Sequence, residues 1–383
     1  MNKPIIGILT WRQGVRFEEP TYLRQLILEG RSLGCTVFLF SHEDVLENKK
    51  RVRGFIPSTN GWVSQIYPWP DIVIDRCRKG EPGYLALRRQ KDLFVYANNT
   101  YTNKWNATQL FSREEELRSW IPKTVEYSPN HLQQMLKEFP LLYIKPGNGT
   151  GGRSILKISH DGTKYSLLGR ARNLRTKSAS FSTAASLISV VNRWVNKECI
   201  RKGNFMIQQG LDLALIPDRV ADTRLLIQKN EVGEWCITGS GVRVGPRKSP
   251  TSNLHNGGKP VKFSKLMKER FGEEKAERIK DECKLLGFTV VKTIEKHFGS
   301  MMEFGLDIGI DVNGRVWLIE VNPKPGRDIF KELGRPELYR KSVQRPLQYA
   351  LHLVKNKQES SGPIATLVSQ EEKESNEEKA ENN

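Results

Sequence analysis

The segment around Asn313-Gly314 constrains the fold more strongly than any other part of the chain. Residues 303–327 have the sequence EFGLDIGIDVNGRVWLIEVNPKPGR, in which two apolar stretches flank the Asn-Gly pair. Both residues tolerate positive φ, so the pair is typical of a two-residue β-hairpin turn. Pairing outward from such a turn brings Asp307 opposite Glu320. The sequence therefore predicts a hairpin with two carboxylates that face each other across the strands.

A third oxygen-bearing side chain, Asn322, follows Glu320 on the same face of its strand. Carboxylates directly across a ladder, with Cβ atoms about 5 Å apart, repel each other unless a cation lies between them. The set Asp307, Glu320 and Asn322 therefore indicates a divalent metal site. A hairpin whose solvent face merely carries two acids is the alternative. The opposite face is predicted to belong to the core, with Ile308, Ile310, Val312, Trp317, Ile319 and Val321.

The composition is that of a folded protein. The chain has 383 residues, of which 38% are hydrophobic and 9% aromatic, enough for two or three substructures with a core. No apolar run is long enough to span a bilayer and the first residues do not resemble a signal peptide, so we expect a soluble, cytoplasmic protein. Five cysteines without a CxxC pair indicate reduced thiols and argue against a Cys-based zinc site.

The charge is strongly positive and unevenly placed. The formal net charge is +18, and residues 359–383 carry seven Glu and two Lys, which leaves +23 on the remainder. Anionic partners are therefore expected: nucleic acid, phosphorylated ligands, acidic peptides or anionic cell-envelope polymers. A generally basic, solvated surface is the alternative. Nucleic acid is disfavoured because no compact recognition motif is visible.

The pattern of apolar segments predicts an α/β organisation with four parts. Residues 1–98 form a small α/β unit, 99–209 and 210–355 form two further α/β parts, and 356–383 form a disordered acidic tail. Within the first part we predict strands at 5–9, 36–40, 71–75 and 93–96, a helix at 21–33, and a long loop at 55–71. The alternation of apolar and charged positions over residues 264–298 predicts a surface helix pair. No glycine fingerprint follows the first strand, which disfavours a Rossmann-type dehydrogenase.

The stretch LLYIKPGNGTGGRSILKI, residues 141–158, joins two apolar strands through a glycine-rich turn. Lys145 stands at the end of the first strand, and glycines at 147, 149, 151 and 152 allow the loop to point its N–H groups at an anion. It is not a Walker P-loop, because the lysine precedes the glycines and a strand follows. The segment predicts a phosphate site, with a ligand-free flexible hairpin tip as the alternative.

The order of these motifs resembles that of ATP-grasp enzymes over about residues 90–345. The resemblance implies a small Rossmann-like N-terminal unit followed by a two-subdomain ATP-grasp fold that binds ATP and Mg²⁺, with Mn²⁺ as an alternative metal. The phosphate contacts it implies are Lys104, Lys145 and the loop from 147 to 154, which includes Gly147, Gly149, Gly151, Gly152 and Ser154. Residues 205–211 would form the adenine hinge, with Gln208, Gln209 and Leu211. The usual hinge glutamate is absent, and a Gln carbonyl is its expected substitute. Asp307, Glu320 and Asn322 match the metal ligands.

Two segments are similar to parts of RimK-type glutamate ligases: Asp222-Thr-Arg224 with the strand after it, and residues 252–258. The similarity implies that Arg224 and Arg243 face the acceptor carboxylate and the transferring phosphate, a role that suits guanidinium groups. His255 has either a catalytic role or a purely structural one as a loop histidine.

The whole layout, including the sequence KPGRDIF after the expected metal ligands, is most similar to the YheC/YheD family, which is linked with the endospore coat. The resemblance implies a carboxylate-amine ligase that forms an acylphosphate from an anionic small molecule, peptide or polymer. It also implies spore coat proteins as partners and a spore coat or forespore location. The alternative is a structural coat protein that retains the ATP-grasp fold without catalysis.

Overall fold

Three larger β-sheets organise the chain. A computed structural model describes residues 3–148, 153–171, 173, 175–198, 204–247, 252, 254 and 257–360. Each sheet occupies a separate stretch of sequence, and together they surround one large cavity. The strand sets fall within the three folded parts predicted from the sequence, whose exact boundaries stay a prediction.

The N-terminal unit is built on a sheet whose central strands are parallel. Its elements are β1 (Ile5–Leu9), β2 (Arg12–Gln13), β3 (Arg16–Phe17), α1 (Pro20–Ser32), β4 (Thr36–Phe40), β5 (Val45–Leu46), β6 (Arg51–Ser58), β7 (Gly61–Pro68), β8 (Ile72–Asp75) and α2 (Pro82–Arg89). The sheet has the order β5-β6-β4-β1-β8, with β7 paired to β6. Since β1 is parallel to both β4 and β8, the carboxyl ends of these strands lie at one edge.

Two predictions for this unit were wrong. Residues 55–71 are not a long loop, because most of them belong to the β6–β7 hairpin. Pro57 and Pro68 lie near strand ends, where a missing N–H interrupts no central ladder. The strand predicted at 93–96 is reduced to a single bridge between Tyr96 and Val73.

The middle lobe carries an antiparallel sheet in the order β13-β12-β11-β10-β14-β9. Its elements are α3 (Lys104–Arg113), β9 (Thr124–Glu126), α4 (Pro129–Glu138), β10 (Leu141–Pro146), β11 (Ile155–His160), β12 (Tyr165–Arg170), β13 (Thr176–Phe181), α5 (Ala184–Glu198) and β14 (Phe205–Gln209). Strands β10 and β11 pair as predicted for the two arms of the glycine-rich hairpin. Their buried side chains pack against α4 and α5, which gives this lobe its own core.

The C-terminal lobe carries a second antiparallel sheet in the order β17-β16-β15-β18-β19. Its elements are β15 (Ala221–Lys229), β16 (Trp235–Val244), β17 (Lys259–Val261), α6 (Phe263–Phe271), α7 (Glu273–Phe298), β18 (Glu303–Ile310), β19 (Val316–Asn322), α8 (Asp328–Glu332) and α9 (Pro336–Ser360). Strand β18 lies between β15 and β19, and all of its residues are buried. Residues 356–360, predicted as part of the tail, continue α9, and the acidic residues from 361 onward lie outside the described residues.

Helices α6 and α7 confirm the predicted helix pair. Acidic residues occupy the first turn of α7 and basic residues its last turn, an arrangement that favours the helix dipole. The apolar face of α7, with Leu286, Val290 and Ile294, packs against Phe304 and other side chains of β18. Each such fully buried side chain contributes about 1.5–3 kcal/mol to the free energy of folding.

The N-terminal unit and the C-terminal lobe share one hydrophobic core. Helix α9 places Val343 and Leu347 in the same cluster as Leu26 of α1 and Leu226 of β15. The two parts are therefore packed together directly rather than joined by a linker alone. No helix in the described ranges is long and apolar enough to cross a membrane. The described cysteines (Cys35, Cys77, Cys236 and Cys283) are free thiols, as predicted, and Cys199 lies outside the described residues.

A buried ionic cluster joins the same two parts. Glu303, at the start of β18, accepts a hydrogen bond from Arg76 Nη1 at 3.1 Å and another from Arg327. Its second oxygen also accepts from Gln228 Nε2 at 2.8 Å. Glu303 is 2% exposed, so away from water it neutralises Arg327 and, together with Glu19, Arg76.

We therefore expect Glu303→Gln to lower the free energy of unfolding by about 3–5 kcal/mol, because it leaves two buried guanidinium groups without their shared anion. Urea denaturation measures this value. Glu274→Gln on α7, at a side chain that is 87% exposed, is the matched control and should change stability by about 0.5 kcal/mol or less. Equal stabilities of the two variants would contradict a structural role for the cluster.

Candidate functional site

One cavity of about 1070 Å³ lies where the N-terminal unit and the two lobes meet. Typical small-molecule sites occupy about 300–1,000 Å³, so this cavity has room for a nucleotide and a second ligand. Among the described residues that line it, eleven are Lys or Arg and seven are Asp or Glu. Its wall therefore carries an excess of positive charge, as expected of a site for anionic ligands.

The carboxylate hairpin lies on the cavity wall. Asp307 on β18 is paired with Glu320 on β19, which confirms the predicted juxtaposition, and Asn322 is paired with Gly305. All three predicted metal ligands line the cavity. They are therefore brought together on one surface, as the sequence pattern required.

The turn that sets this register differs from the prediction. Asp311 N–H donates to the Arg315 carbonyl at 3.0 Å and Gly314 N–H to the Asp311 carbonyl at 2.8 Å, so the loop is longer than two residues. Only Gly314 of the Asn-Gly pair has positive φ, at 86°. This longer turn shifts the register near the loop by one residue, and a β-bulge between Asp307 and Ile308 restores the predicted pairing.

Two arginines flank Asp307. Arg224 Nε donates to Asp307 Oδ1 at 2.7 Å, and Arg243 Nη2 lies 3.0 Å from Oδ2. Burial alone would raise the pKa of Asp307, but the two guanidinium groups outweigh it and lower the pKa to about 2. Arg243 is held in turn by Asp222, whose Oδ1 accepts from its Nε at 2.9 Å. The two predicted catalytic arginines thus lie at the predicted metal ligand.

Glu320 is paired with a lysine from the middle lobe. Asn103 caps helix α3 by accepting from Asn106 N–H at 2.9 Å, so Lys104 is the first helical residue. Lys104 Nζ lies 2.9 Å from Glu320 Oε2. Cationic side chains therefore compensate both carboxylates of the hairpin, a solution to their repulsion that the sequence did not reveal.

Lys145 is the second lysine of the middle lobe at this site, and its partner is Gln208. Lys145 Nζ donates to Gln208 Oε1 at 2.7 Å, and Gln208 Nε2 donates to Thr124 Oγ1 at 2.9 Å. Burial, opposed by the charge of Glu320 and reinforced by that of Lys104, lowers the pKa of Lys145 to about 8. The side-chain carbonyl of Gln208, one of the two glutamines expected to replace the hinge glutamate toward adenine, already accepts from Lys145 inside the lobe.

The remaining hinge and loop residues differ in their placement. Gln209 and Leu211 line the cavity, and the Gln209 side chain accepts from Lys123 N–H at 3.3 Å. Gly147 N–H donates to the Asn204 carbonyl at 2.9 Å, so it is used in packing the loop base. Ser154 donates to Glu198 at 2.6 Å and is absent from the cavity wall among the described residues. Gly149, Gly151, Gly152 and His255 lie outside the described residues.

Several cavity residues were not predicted as site residues. The end of β8 contributes Asp75, the segment after β8 contributes Arg78 and Lys79, and the loop after β19 contributes Lys324. Lys324 Nζ donates to Asp75 Oδ1 at 2.8 Å, which ties the loop to the N-terminal unit. The sequence held one signal that could have identified these residues. Residues 75–79 lie at the carboxyl end of a predicted parallel strand, where ligand sites concentrate.

The donor set fits a hard divalent cation. Two carboxylates and an amide oxygen are the ligands that Mg²⁺ and Mn²⁺ take in proteins. No group of three or more His, Cys, Asp or Glu suited to a metal occurs in the part of the chain that the structure describes, so Asn322 would be needed to complete the set. Any metal here must also compete with Arg224, Arg243 and Lys104 for the two carboxylates.

The fold, the glycine-rich hairpin and the cavity between two antiparallel lobes together define an ATP-grasp protein. The model of the family described as YheC/D-like ATP-grasp matches residues 94–353. The chain belongs to this YheC/D-like ATP-grasp family, and the predicted fold class is confirmed.

The chain is also similar to two named proteins and to one solved structure. It is 29% identical to the endospore coat-associated protein YheD of Bacillus subtilis over 367 residues, which cover 91% of this chain and 79% of that protein. It is 23% identical to YheC of the same organism over 325 residues, covering 82% and 86%. The D-alanine-D-alanine ligase from Coxiella burnetii shares the fold, with a TM-score of 0.51, 12% identity and coverage of 93% and 98%.

The depressed pKa of Lys145 predicts a specific pH dependence of stability. Between about pH 8 and its ordinary value near 10.5, the unfolded chain binds this proton more strongly than the folded chain, so stability rises with pH across that window. The free energy of unfolding of the wild type should gain about 2 kcal/mol relative to Lys145→Met between pH 7.5 and pH 9.5. Parallel urea titrations at both pH values measure the difference, and an unchanged difference would contradict the shift. Lys137→Met, on an exposed face of α4, is the control.

Proposed function

We propose that the protein is an ATP- and Mg²⁺-dependent carboxylate-amine ligase. The observation that carries the proposal is the convergence, in one cavity, of Lys104, Lys145, Arg224 and Arg243 with the Asp307, Glu320 and Asn322 set. Cations that hold phosphates and oxygen ligands that hold a metal are the two requirements of phosphoryl transfer from ATP. Membership of the ATP-grasp family supports the same chemistry.

The reaction has two displacement steps. A carboxylate oxygen of the acceptor attacks the γ-phosphorus of ATP; the new O–P bond forms as the bond to the β,γ-bridging oxygen breaks, and ADP leaves. The nitrogen of an amine then attacks the carbonyl carbon of the acylphosphate. The C–O bond breaks with its electron pair on the departing phosphate, and the nitrogen loses a proton to solvent. The products are an amide, ADP and phosphate.

The side chains of the site have separate tasks in these steps. Lys104 and Lys145 bind the phosphate oxygens, and phosphate competes with Glu320 for Lys104. Arg224 orients the acceptor carboxylate, since a guanidinium pairs with a carboxylate in a fixed geometry and stays charged. Arg243, anchored by Asp222, adds fixed positive charge beside the transferring group.

The metal and the base of the nucleotide complete the proposal. Asp307, Glu320 and Asn322 would hold Mg²⁺, with Mn²⁺ as an alternative, and the bound cation neutralises charge on the phosphoryl oxygens. Because the Gln208 side chain bonds to Lys145 and Thr124, adenine recognition falls to residues 209–211.

The names of the relatives extend the proposal to a biological setting. Both YheD and YheC are called endospore coat-associated proteins. We infer that the acceptor is an anionic molecule, peptide or polymer of the forming spore and that coat proteins are among the partners. The competing proposal is a structural coat protein that retains the fold and nucleotide binding but makes no product.

Titration of ATP with Mg²⁺ into the purified protein tests the nucleotide site. We expect heat of binding in the wild type and none in the Asp307→Asn/Glu320→Gln variant, because the variant loses the charge of both metal ligands. The measurement is isothermal titration calorimetry, with far-ultraviolet circular dichroism to confirm folding. Glu115→Gln, at a side chain that is 86% exposed, is the control and should bind as the wild type does. Wild-type protein that binds no ATP would refute the site.

Single substitution of Glu320 tests catalysis. Glu320 has Lys104 as its ion-pair partner and is partly exposed, so Glu320→Gln should keep the fold while its turnover falls at least about a hundredfold. Release of ADP in the presence of candidate carboxylates and amines measures turnover. A fully active Glu320→Gln enzyme would exclude this mechanism. A wild type that binds ATP and yields no amide product with any acceptor class would favour the structural alternative.

A further inference from the structure

The N-terminal unit forms part of a cavity wall that contains none of the proposed nucleotide or metal ligands. This wall consists of Asp75 at the end of β8, residues 77–80 after it, and the loop from 323 to 327. The two segments are bonded to each other, since Arg78 Nη2 donates to the Lys324 carbonyl at 2.7 Å and Lys324 donates to Asp75. Arg224 lines the same cavity as both segments.

Arg78 and Lys79 are the exposed cations of this wall. The Arg78 side chain is 38% exposed and that of Lys79 is 42% exposed. Arg78 is nonetheless held in place, because Nη2 also lies 2.9 Å from Glu19 Oε1. Lys79 Nζ lies 3.1 Å from the centre of a Trp11 ring. Both charges are thus positioned before any ligand binds, which lowers the entropy lost on binding.

The ion pairs behind the wall leave positive charge uncompensated. Glu19 is shared by Arg76 and Arg78, Glu303 by Arg76 and Arg327, and Asp75 by Lys324 and Arg88. Lys79 Nζ also lies 3.6 Å from Glu18 Oε1, so among the described residues six cations share four carboxylates in this cluster. Consistent with this imbalance, burial and then the charge of Arg76 lower the pKa of Arg78.

The cavity wall also carries apolar and aromatic side chains. Tyr22, Leu85, Leu254 and Met302 line the same cavity. A chain whose negative groups are separated by methylenes and amides can contact both kinds of surface at once. A polyphosphate, which is charged at every unit, would leave the apolar side chains without a partner. The mixed wall therefore favours an acidic peptide over a phosphate polymer.

We propose that Arg78 and Lys79 form a second anion subsite, which binds a distal carboxylate of an acidic peptide acceptor. This inference rests on the proposed ligase function, in which the reacting carboxylate lies at Arg224. The N-terminal unit then acts as the element that selects the acceptor. Phosphoryl transfer does not involve Arg78 or Lys79, so nucleotide binding is independent of them.

Binding of a labelled peptide tests the subsite directly. The probe is fluorescein-labelled tri-glutamate, titrated with the full chain at low salt in the presence of Mg²⁺ and ATP, and read by fluorescence anisotropy. Arg78→Gln/Lys79→Gln should weaken tri-glutamate binding about tenfold or more, because two charge-assisted contacts are lost. Its affinity for ATP with Mg²⁺ should stay within about twofold of wild type, which also reports that the variant is folded.

A charge-matched control separates local contact from general attraction. Lys265→Gln/Arg278→Gln on α6 and α7 removes the same charge from two strongly exposed side chains outside the cavity wall. This variant should bind tri-glutamate as the wild type does. Equal weakening in both double variants would overturn the subsite, because the peptide would then respond only to net charge. The single variant Lys79→Glu, which leaves Arg78 in place, also tests whether tri-glutamate contacts the subsite locally.

Competition decides the chemistry of the ligand. Unlabelled tri-glutamate should displace the probe at lower concentration than tripolyphosphate does. The opposite order, with the same dependence on Arg78 and Lys79, would overturn the assignment to a peptide. Protein that binds tri-glutamate through Arg78 and Lys79 without binding ATP would refute the ligase proposal and leave the anion subsite standing, so the two failures are distinguishable.

Discussion

The cavity depends on the hydrogen bonds that the buried carboxylate of Glu303 accepts from two arginines. It bonds to Arg76 from the N-terminal unit and to Arg327 from the loop after the carboxylate hairpin. Those two segments form one wall of the site, and the same carboxylate bonds to both. Two separated guanidinium groups at this depth would be costly to bury, so the packing of the parts is coupled to this contact.

Strand β18 connects that contact to the candidate chemistry. Glu303 and Asp307 lie four residues apart on one face of the strand, while Phe304, Leu306 and Ile308 face the core beneath α7. The strand is buried between β15 and β19, so the backbone that carries both carboxylates cannot shift without moving the core. The geometry of the site is therefore set by hydrophobic packing and not by the ionic contacts alone.

The site is a network of charges that are already paired. Asp307 is bonded to Arg224 and Arg243, Glu320 to Lys104, and Lys145 to Gln208. Paired groups hold their positions without a ligand, which is the condition for electrostatic catalysis with little reorganisation. The same pairs must open to admit a metal and a nucleotide. Ligand binding at this site is consequently an exchange of partners.

Sequence by itself determined the local structures and much of the candidate site. Period-two alternation and the Asn-Gly pair led to the hairpin, to Asp307 opposite Glu320, and to Lys145 at the end of its strand, since these features depend on neighbours along the chain. The tertiary structure alone decided which cations meet those carboxylates and that Gln208 bonds to Lys145, because partners such as Arg224 and Asp307 are 83 residues apart. It also decided the bulge that corrects the turn, and the wall containing Arg78 and Lys79. Those features arise where three separately folded sheets meet, and no local pattern encodes that meeting.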